Sequence, residues 1–473
     1  MQANDFQQRV DAATARFVEL YGAGPVRILR APARLNILGE HVDYVSYLPT
    51  ASLPFGSHEH AMLMLWRPRA DGLVRGASVN VAYEPFTFDL AEGRTAASGW
   101  DAFLTSHPVP AAHWSNYVKG ACFFAQWQQG GELAHGFDFL IDSTIPPCGG
   151  ASSSSALTVL AGAAVRLTNE LGYAPAQLAK ASAQAEWFCG TRGGAMDHTA
   201  ICLAERGHAV HLSYAADTAE LVPLDVTRYR WVTFFSHEAD KGSHVMLEYN
   251  ERAAVARVLL PALLADLQAH REGFQETWQA AVQGLALGVF EPLAECLAEL
   301  PPVITLAEFG RHYPDSFAEC ERLFPALVQA RRHEFLKLAD RARHHLGEIK
   351  RVQKAVTRLR QGPATDDQLD AFMRQLGELL NEAHASLRDL YNVSTPEVEQ
   401  LRELLIADPE VYGARLLGGG FGGNVLALTP LAHVDCLIER VQTEFYAPRG
   451  RNGWQEGAVM ISTPGAGLTE VRP

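Results

Sequence analysis

The stretch at 145–157, IPPCGGASSSSAL, has the residue types of an anion cradle. Two prolines hold the approach extended, Gly149 and Gly150 permit a tight turn, and the apolar run that follows reads as a helix. A small-residue loop that opens onto a helix N-terminus presents unpaired amides and the positive end of the helix dipole, an arrangement that favours phosphate. The candidate phosphate contacts are Pro147, Gly149, Gly150, Ala151, Ser152, Ser153, Ser154 and Ser155, whose hydroxyls reach a phosphate oxygen or a magnesium ion. A Ser-rich linker or an ordinary N-cap is the plainer reading of the same residues. No Lys follows the glycines, so this is not a Walker loop.

A second concentration lies at 31–44, APARLNILGEHVDY, where Arg34, Asn36, Glu40, His41 and Asp43 fall within ten residues. Charges of both signs in a loop after a strand suit recognition of a polar ligand; a solvated turn with internal ion pairs would look the same. Gly418, Gly420 and Gly423 satisfy G-x-G-x-x-G, but only about fifty residues remain after them, too few for the βαβ units of a dinucleotide fold. A loop that lets backbone approach a ligand accounts for them better.

The elements that must position these residues follow from spacing. Helical periodicity marks 4–22, and a strand is expected over 26–30, leading into the charged segment. Strands follow between 61 and 90, then a helix over 114–127, a strand over 137–141 feeding the serine loop, a helix over 156–167 and another over 175–188. The segment 250–360 is mostly helical, with breaks at Pro301-Pro302 and Pro314. Strands followed by helices covering one face give an α+β fold. Residues 331–360 carry ten Lys or Arg against three Asp or Glu, read as a solvated helix face.

At 473 residues the chain has room for two or three domains, and 48% hydrophobic and 20% charged residues are ordinary for a soluble protein. A net charge of -14 argues against a nucleic-acid partner. Seven cysteines without a C-x-x-C pair fit a reducing compartment. No signal peptide and no run of membrane-spanning length is expected, so the reading is a cytoplasmic protein with no membrane partner.

Taken together, and in order, these stretches resemble galactokinases, within the superfamily that also holds homoserine, mevalonate and phosphomevalonate kinases. RLNILGEHVDY at 34–44 resembles the family signature, WSNYVKG at 114–120 another family stretch, 146–157 its phosphate loop, 194–197 its catalytic segment and 414–423 its glycine-rich motif. YNER at 249–252 and SLRDLY at 386–391 add detail. The resemblance implies a two-lobed α+β fold: an N-terminal domain like part of a ribosomal protein over 1–225, and a ferredoxin-like C-terminal domain over 226–473 with a helical insertion around 258–340. It implies an ATP- and magnesium-dependent kinase that phosphorylates the anomeric hydroxyl of galactose, acting as a monomer or weak homodimer. By matching position Asp197 is the base and Arg34 its charged partner; Arg34, Glu40, His41, Asp43, Gly194, Asp197 and Tyr249 hold the sugar; Ser154 holds the metal, with Glu186, one place off the family position, as its candidate acid.

Several residues depart from the family pattern. Only Val45, Ser46, Tyr47 and Leu48 stand where two more residues are usual, and the shortened loop motivates a related sugar as the alternative substrate: a uronic acid, an N-acetylhexosamine or arabinose. The metal-binding glutamate is due twelve residues before Asp197, at Ala185, whereas the acid present is Glu186. One residue turns a helix position by about 100°, so Glu186 serves only if the helix ends early. Cys148, Ala151, His198 and Asn424 replace usual Gly, Leu, Gln and Cys. A displaced glutamate and Cys148 also suit a non-catalytic regulator that senses sugar and ATP.

Overall fold

The computed structural model describes residues 3–94, 99–107, 111–146, 149–190, 192–224, 227–238, 243–363, 365, 368–450 and 458–471. Pro147 and Cys148 lie outside the described residues, as does the expected domain boundary at 225/226.

The first sheet is built on Pro54–Pro68, whose run at 61–66 is buried on both faces. Neighbouring strands in order are Thr469–Val471, Arg27–Asn36, Pro54–Pro68, Phe137–Ser143, Leu73–Ser78 and Phe86–Asp89, and Pro464–Gly465 adds to the long strand. All of these pairs are antiparallel except Leu73–Ser78 with Phe137–Ser143. The helix Ala3–Tyr21 covers one face through Val10, Ala13 and Phe17. Ser115–Gln128, Ser153–Thr168 and Pro175–Glu186 pack together in the large core on the other. With both faces covered, the sheet is a rigid base for the loops at its end.

The strand expected over 26–30 runs on to Asn36, so Arg34 and Asn36 stand on it and not in a loop. Its partner strand is long enough to keep pairing, and the register shifts between Pro32 and Arg34. Pro32 has no amide to donate, and a bulge at such a point re-aims the next side chain. Here that side chain is Arg34.

A second sheet, ordered Gly413–Leu416, Gly423–Pro430, Tyr229–His237 and Val459–Ser462, is wholly antiparallel. Pro396–Ile406 and Val434–Val441 bury their apolar stripes against it. Between these lobes, helices from Leu260 to Arg331 and the small ladder Val303–Thr305 with Phe335–Lys337 enclose a core of their own. That core takes in Val42, Tyr44, Val45 and Leu48. The bulky residues of the 45–48 loop therefore pack on these helices.

Two expectations are corrected. The basic helix, Ala339–Gln361, is not a solvated face throughout: Arg341 and Arg351 are buried, paired with Glu251 and Glu348. A helical run of membrane-spanning length and composition does exist at His244–His270, because a π turn at Val255–Leu259 joins two helices end to end, and half of its apolar window is buried inside the protein.

Candidate active site

The helix Ser153–Thr168 begins at Ser152, which holds φ 61° and makes no side-chain cap. The Ser152 hydroxyl instead donates to Asp197 Oδ2 at 2.7 Å. The N-terminus is thus left without a side-chain cap, with Ser153 and Ser154 half-exposed beside it. Gly150 has φ 76°, and a Cβ there would lie 2.4 Å from the Leu417 carbonyl oxygen. The serine loop and the 418–423 glycine loop are therefore in direct backbone contact, which only glycine permits. Asn424 fastens the pair, its Nδ2 donating to the Gly149 carbonyl at 2.6 Å.

Asp197 is the second residue of the helix Met196–Leu203, where the dipole favours an anion. It forms an ion pair with Arg34, whose side chain is only 4% exposed. Burial by itself would raise the Asp197 carboxyl, but Arg34, the Ser152 hydroxyl and His198 outweigh it and hold the group below the ordinary aspartate range. Arg34 is shifted up in turn, burial opposing and Asp197 prevailing. Asp43 goes the other way. Burial and then the nearby Asp197 charge push it up to about 6, although the Met196 amide donates to its Oδ2 at 3.3 Å. Gly194 lies against it so closely that a Cβ would stand 2.4 Å from Asp43 oxygens.

The remaining sugar candidates gather on the same side. The Tyr249 ring lies 5.9 Å from both His41 and Tyr44, and its hydroxyl faces Gly193. His41 is buried with Nε2 unpartnered and is held down to about 3, by burial first and then by Arg252, Arg415 and Arg341. Glu40 is less free: Oε2 takes both Arg415 and the Gly418 amide, tying the signature segment to the glycine loop and leaving Oε1 unengaged.

Glu186 ends its α-helix, which gives way to a 3-10 turn at Trp187–Cys189. Its Oε2 accepts from Ser155 Oγ at 2.9 Å and from His198 Nε2 at 2.7 Å. The carboxylate therefore faces the first turn of the serine helix, while Ala185 is buried against the Ser115–Gln128 helix at Gly120. The bond is to Ser155, not to Ser154. An all-oxygen set of serine hydroxyl and carboxylate beside an uncapped helix N-terminus fits magnesium.

Sequence reasoning missed four contributors. Arg257 donates to the Gly193 carbonyl at 2.9 Å, stacks over Trp187 and faces the Asp43 carboxylate and the Tyr249 hydroxyl. It sits on the π turn, whose extra residue per turn hides it from 3.6-residue periodicity. Arg415, fully buried, lay inside a recognised motif but reads as a strand residue. His198 and Asn424 stood out only as departures from the pattern.

The galactokinase galactose-binding signature matches residues 15–51, the GHMP kinases N terminal domain 116–205 and the GHMP kinases C terminal domain 368–447. The chain is 30% identical to a galactokinase of Streptomyces coelicolor, with 96% of each covered, and 29% identical to one of Bos taurus, with 92% and 91% covered. The crystal structure of Lactococcus lactis galactokinase complexed with galactose superposes with a TM-score of 0.67 at 25% identity, covering 98% of this chain and 100% of that one. A mevalonate kinase shares the fold at a TM-score of 0.52 and 13% identity, over 93% and 99%. The chain belongs to the galactokinase family, kinases that transfer a phosphoryl group to a sugar hydroxyl.

Proposed function

We propose that this protein transfers the γ-phosphoryl group of ATP to the anomeric hydroxyl of galactose, releasing galactose 1-phosphate and ADP. The observation that carries the reading is the Ser152–Asp197–Arg34 cluster, which joins the uncapped helix N-terminus to the pocket of Asp43, Gly194, His41 and Tyr249. The uncapped amides and Ser153 and Ser154 take the nucleotide phosphates. Asp197, ionised at neutral pH, accepts the proton of the attacking hydroxyl. Because its carboxyl is held low, it is a weak base, and proton transfer to it becomes favourable only late, once the hydroxyl has begun to bond phosphorus. Arg34 offsets charge on the transferring group. Serine hydroxyls of the loop and Glu186 would hold magnesium, which when bound neutralises phosphate charge. Asp43 and Glu40 Oε1 accept from ring hydroxyls, a pairing suited to carboxylates.

The chain divides functionally at about 225/226 into a lobe with the base and phosphate loop and a lobe with the glycine loop, and it acts in the cytoplasm as a monomer or weak homodimer. Cys122, Cys202, Cys296, Cys320 and Cys436 are free thiols, in keeping with a reducing compartment. Coupled ADP release over a sugar panel tests the assignment. Galactose should turn over, with glucose used poorly, since inverting a hydroxyl leaves buried polar groups unpaired. Equal use of the two, rapid use only of an acidic or N-acetylated sugar, or binding without ADP release would overturn it.

A further inference from the structure

The hydroxyls of Tyr47, Tyr391 and Tyr44 and two imidazoles form one unbroken hydrogen-bonded chain. Tyr47 Oη meets His345 Nδ1 at 2.8 Å, His345 Nε2 meets Tyr391 Oη at 3.1 Å, Tyr391 Oη meets Tyr44 Oη at 3.2 Å, and Tyr44 Oη meets His41 Nδ1 at 2.9 Å. Its three inner members are buried, and at its far end His41 is buried too, its Nε2 with no partner among the described residues. The chain starts in the shortened loop, crosses the long Ala339–Gln361 helix and the π turn at Leu387–Tyr391, and returns to the signature segment.

We propose that this chain is a proton-ordered relay that locks His41 in its Nε2–H form, so that His41 offers the sugar a hydrogen-bond donor and never an acceptor. The inference rests on the reading that His41 lines the sugar pocket. Burial and neighbouring arginines keep both imidazoles neutral, so each carries one N–H. Two orders remain in which every inner hydroxyl donates along the chain. In one, Tyr47 donates to His345 Nδ1, His345 Nε2–H to Tyr391, Tyr391 to Tyr44 and Tyr44 to His41 Nδ1, which puts the His41 proton on Nε2. In the reverse order His41 donates from Nδ1, and the Tyr47 hydroxyl is left with a proton and no acceptor among the described residues. The first order leaves one group over, the buried His41 Nε2–H, which a sugar oxygen pairs, whereas the reverse leaves two, the Tyr47 proton and the bare His41 Nε2; unmade hydrogen bonds in a largely covered site are costly, so the first order prevails.

His344, next to His345, does not compete. Its Nε2 faces the Glu40 carbonyl at 3.1 Å, which can only accept, so its proton is fixed there and its Nδ1 accepts from Ser386 Oγ at 2.8 Å. The role of Tyr47 also explains why a bulky residue stands in a loop beside the pocket: its hydroxyl sets the direction of the relay.

Long-range proton–nitrogen NMR of the intact protein labelled with nitrogen-15 histidine tests this directly, with His41 assigned by the signal lost in His41→Gln. The expected spectrum has Nε2 protonated and Nδ1 bare, and the Nε2 signal moves when galactose is added. In Tyr47→Phe the two orders become nearly equivalent: His41 should sample both tautomers, and the galactose KM should rise roughly 3- to 10-fold, the worth of one neutral hydrogen bond, while kcat stays within about two-fold. A protonated Nδ1 in the unsubstituted protein overturns the relay, as does a Tyr47→Phe protein with unaltered tautomer and KM. A correct tautomer that galactose does not disturb overturns the sugar-pocket reading of His41 instead.

Discussion

Replacing Asp43 with Asn should make the protein more stable and less able to hold sugar. In the folded state the carboxyl sits at about 6 where an ordinary aspartate is at 3.8, because burial and then the Asp197 charge oppose its ionisation. A shift of roughly two units corresponds to about 3 kcal/mol, and this is a ceiling, since Asp43 is partly open to the pocket. The sign follows from proton counts. Between about pH 4 and pH 6 the folded protein binds more protons at this site than the unfolded chain, so stability falls as pH rises through that window. Above about 6 the destabilisation is complete. Asp43→Asn removes it, and the variant should melt several degrees higher than the unsubstituted protein at pH 7.5, with the gap closing toward pH 4. Without a second anion near Asp197, the variant should also lose most galactose affinity, and the galactose KM of the unsubstituted enzyme should climb as pH drops below about 6. Thermal melts at the two pH values, with and without galactose, measure all of this. A variant that melts lower than its parent at pH 7.5, by the same margin as at pH 4, would show that the Asp43 charge is fully compensated and would refute the reasoning.

Two further substitutions address the transfer itself. Asp197→Asn keeps the size and, with Oδ1 toward Arg34 and Nδ2 now donating to Ser152 Oγ, both contacts, but removes proton acceptance, so kcat should fall by about 100- to 10,000-fold with little change in galactose affinity; a near-normal kcat in steady-state assays would remove Asp197 from the mechanism. Glu186→Ala should raise the magnesium concentration needed for half-maximal rate and weaken magnesium-dependent ATP binding measured by calorimetry; unchanged magnesium dependence in both would leave Glu186 as a helix-end residue held by Ser155 and His198.

The serine loop and the signature segment were legible because each relies on local chemistry, small residues before a helix and charges after a strand, whereas Asp197 was singled out only by its position in the family pattern. The α+β class was legible from periodicity. What stayed hidden depends on contacts between distant segments. Arg415 matters because it reaches Glu40 from nearly four hundred residues away, and nothing in a strand of alternating apolar residues marks that contact. Arg257 was invisible because the π turn shifts its face relative to a regular helix. The strand at 27–36 was cut short because Pro32 reads as a stop, whereas the fold uses it as a bulge in a continuing pair.

Several departures from the family pattern are answered by a contact, which changes what they mean. Glu186 stands one place late, yet its helix ends at that residue and His198, itself a substitution, donates to its carboxylate and holds it facing Ser155. Asn424 stands where Cys is common, and its amide grips the Gly149 carbonyl beside the Gly150 turn. The loop at 45–48 lacks two residues, and its Val45 and Leu48 are taken up by the core of the inserted helices, which a shorter chain would not supply. Replacement residues that touch each other, or touch the insertion, indicate a site held together by exchange of one contact for another. That pattern favours a working kinase over a regulator that merely inherited the fold, and it places the adjustment where the sugar loop meets the insertion and where the carboxylate meets the phosphate loop.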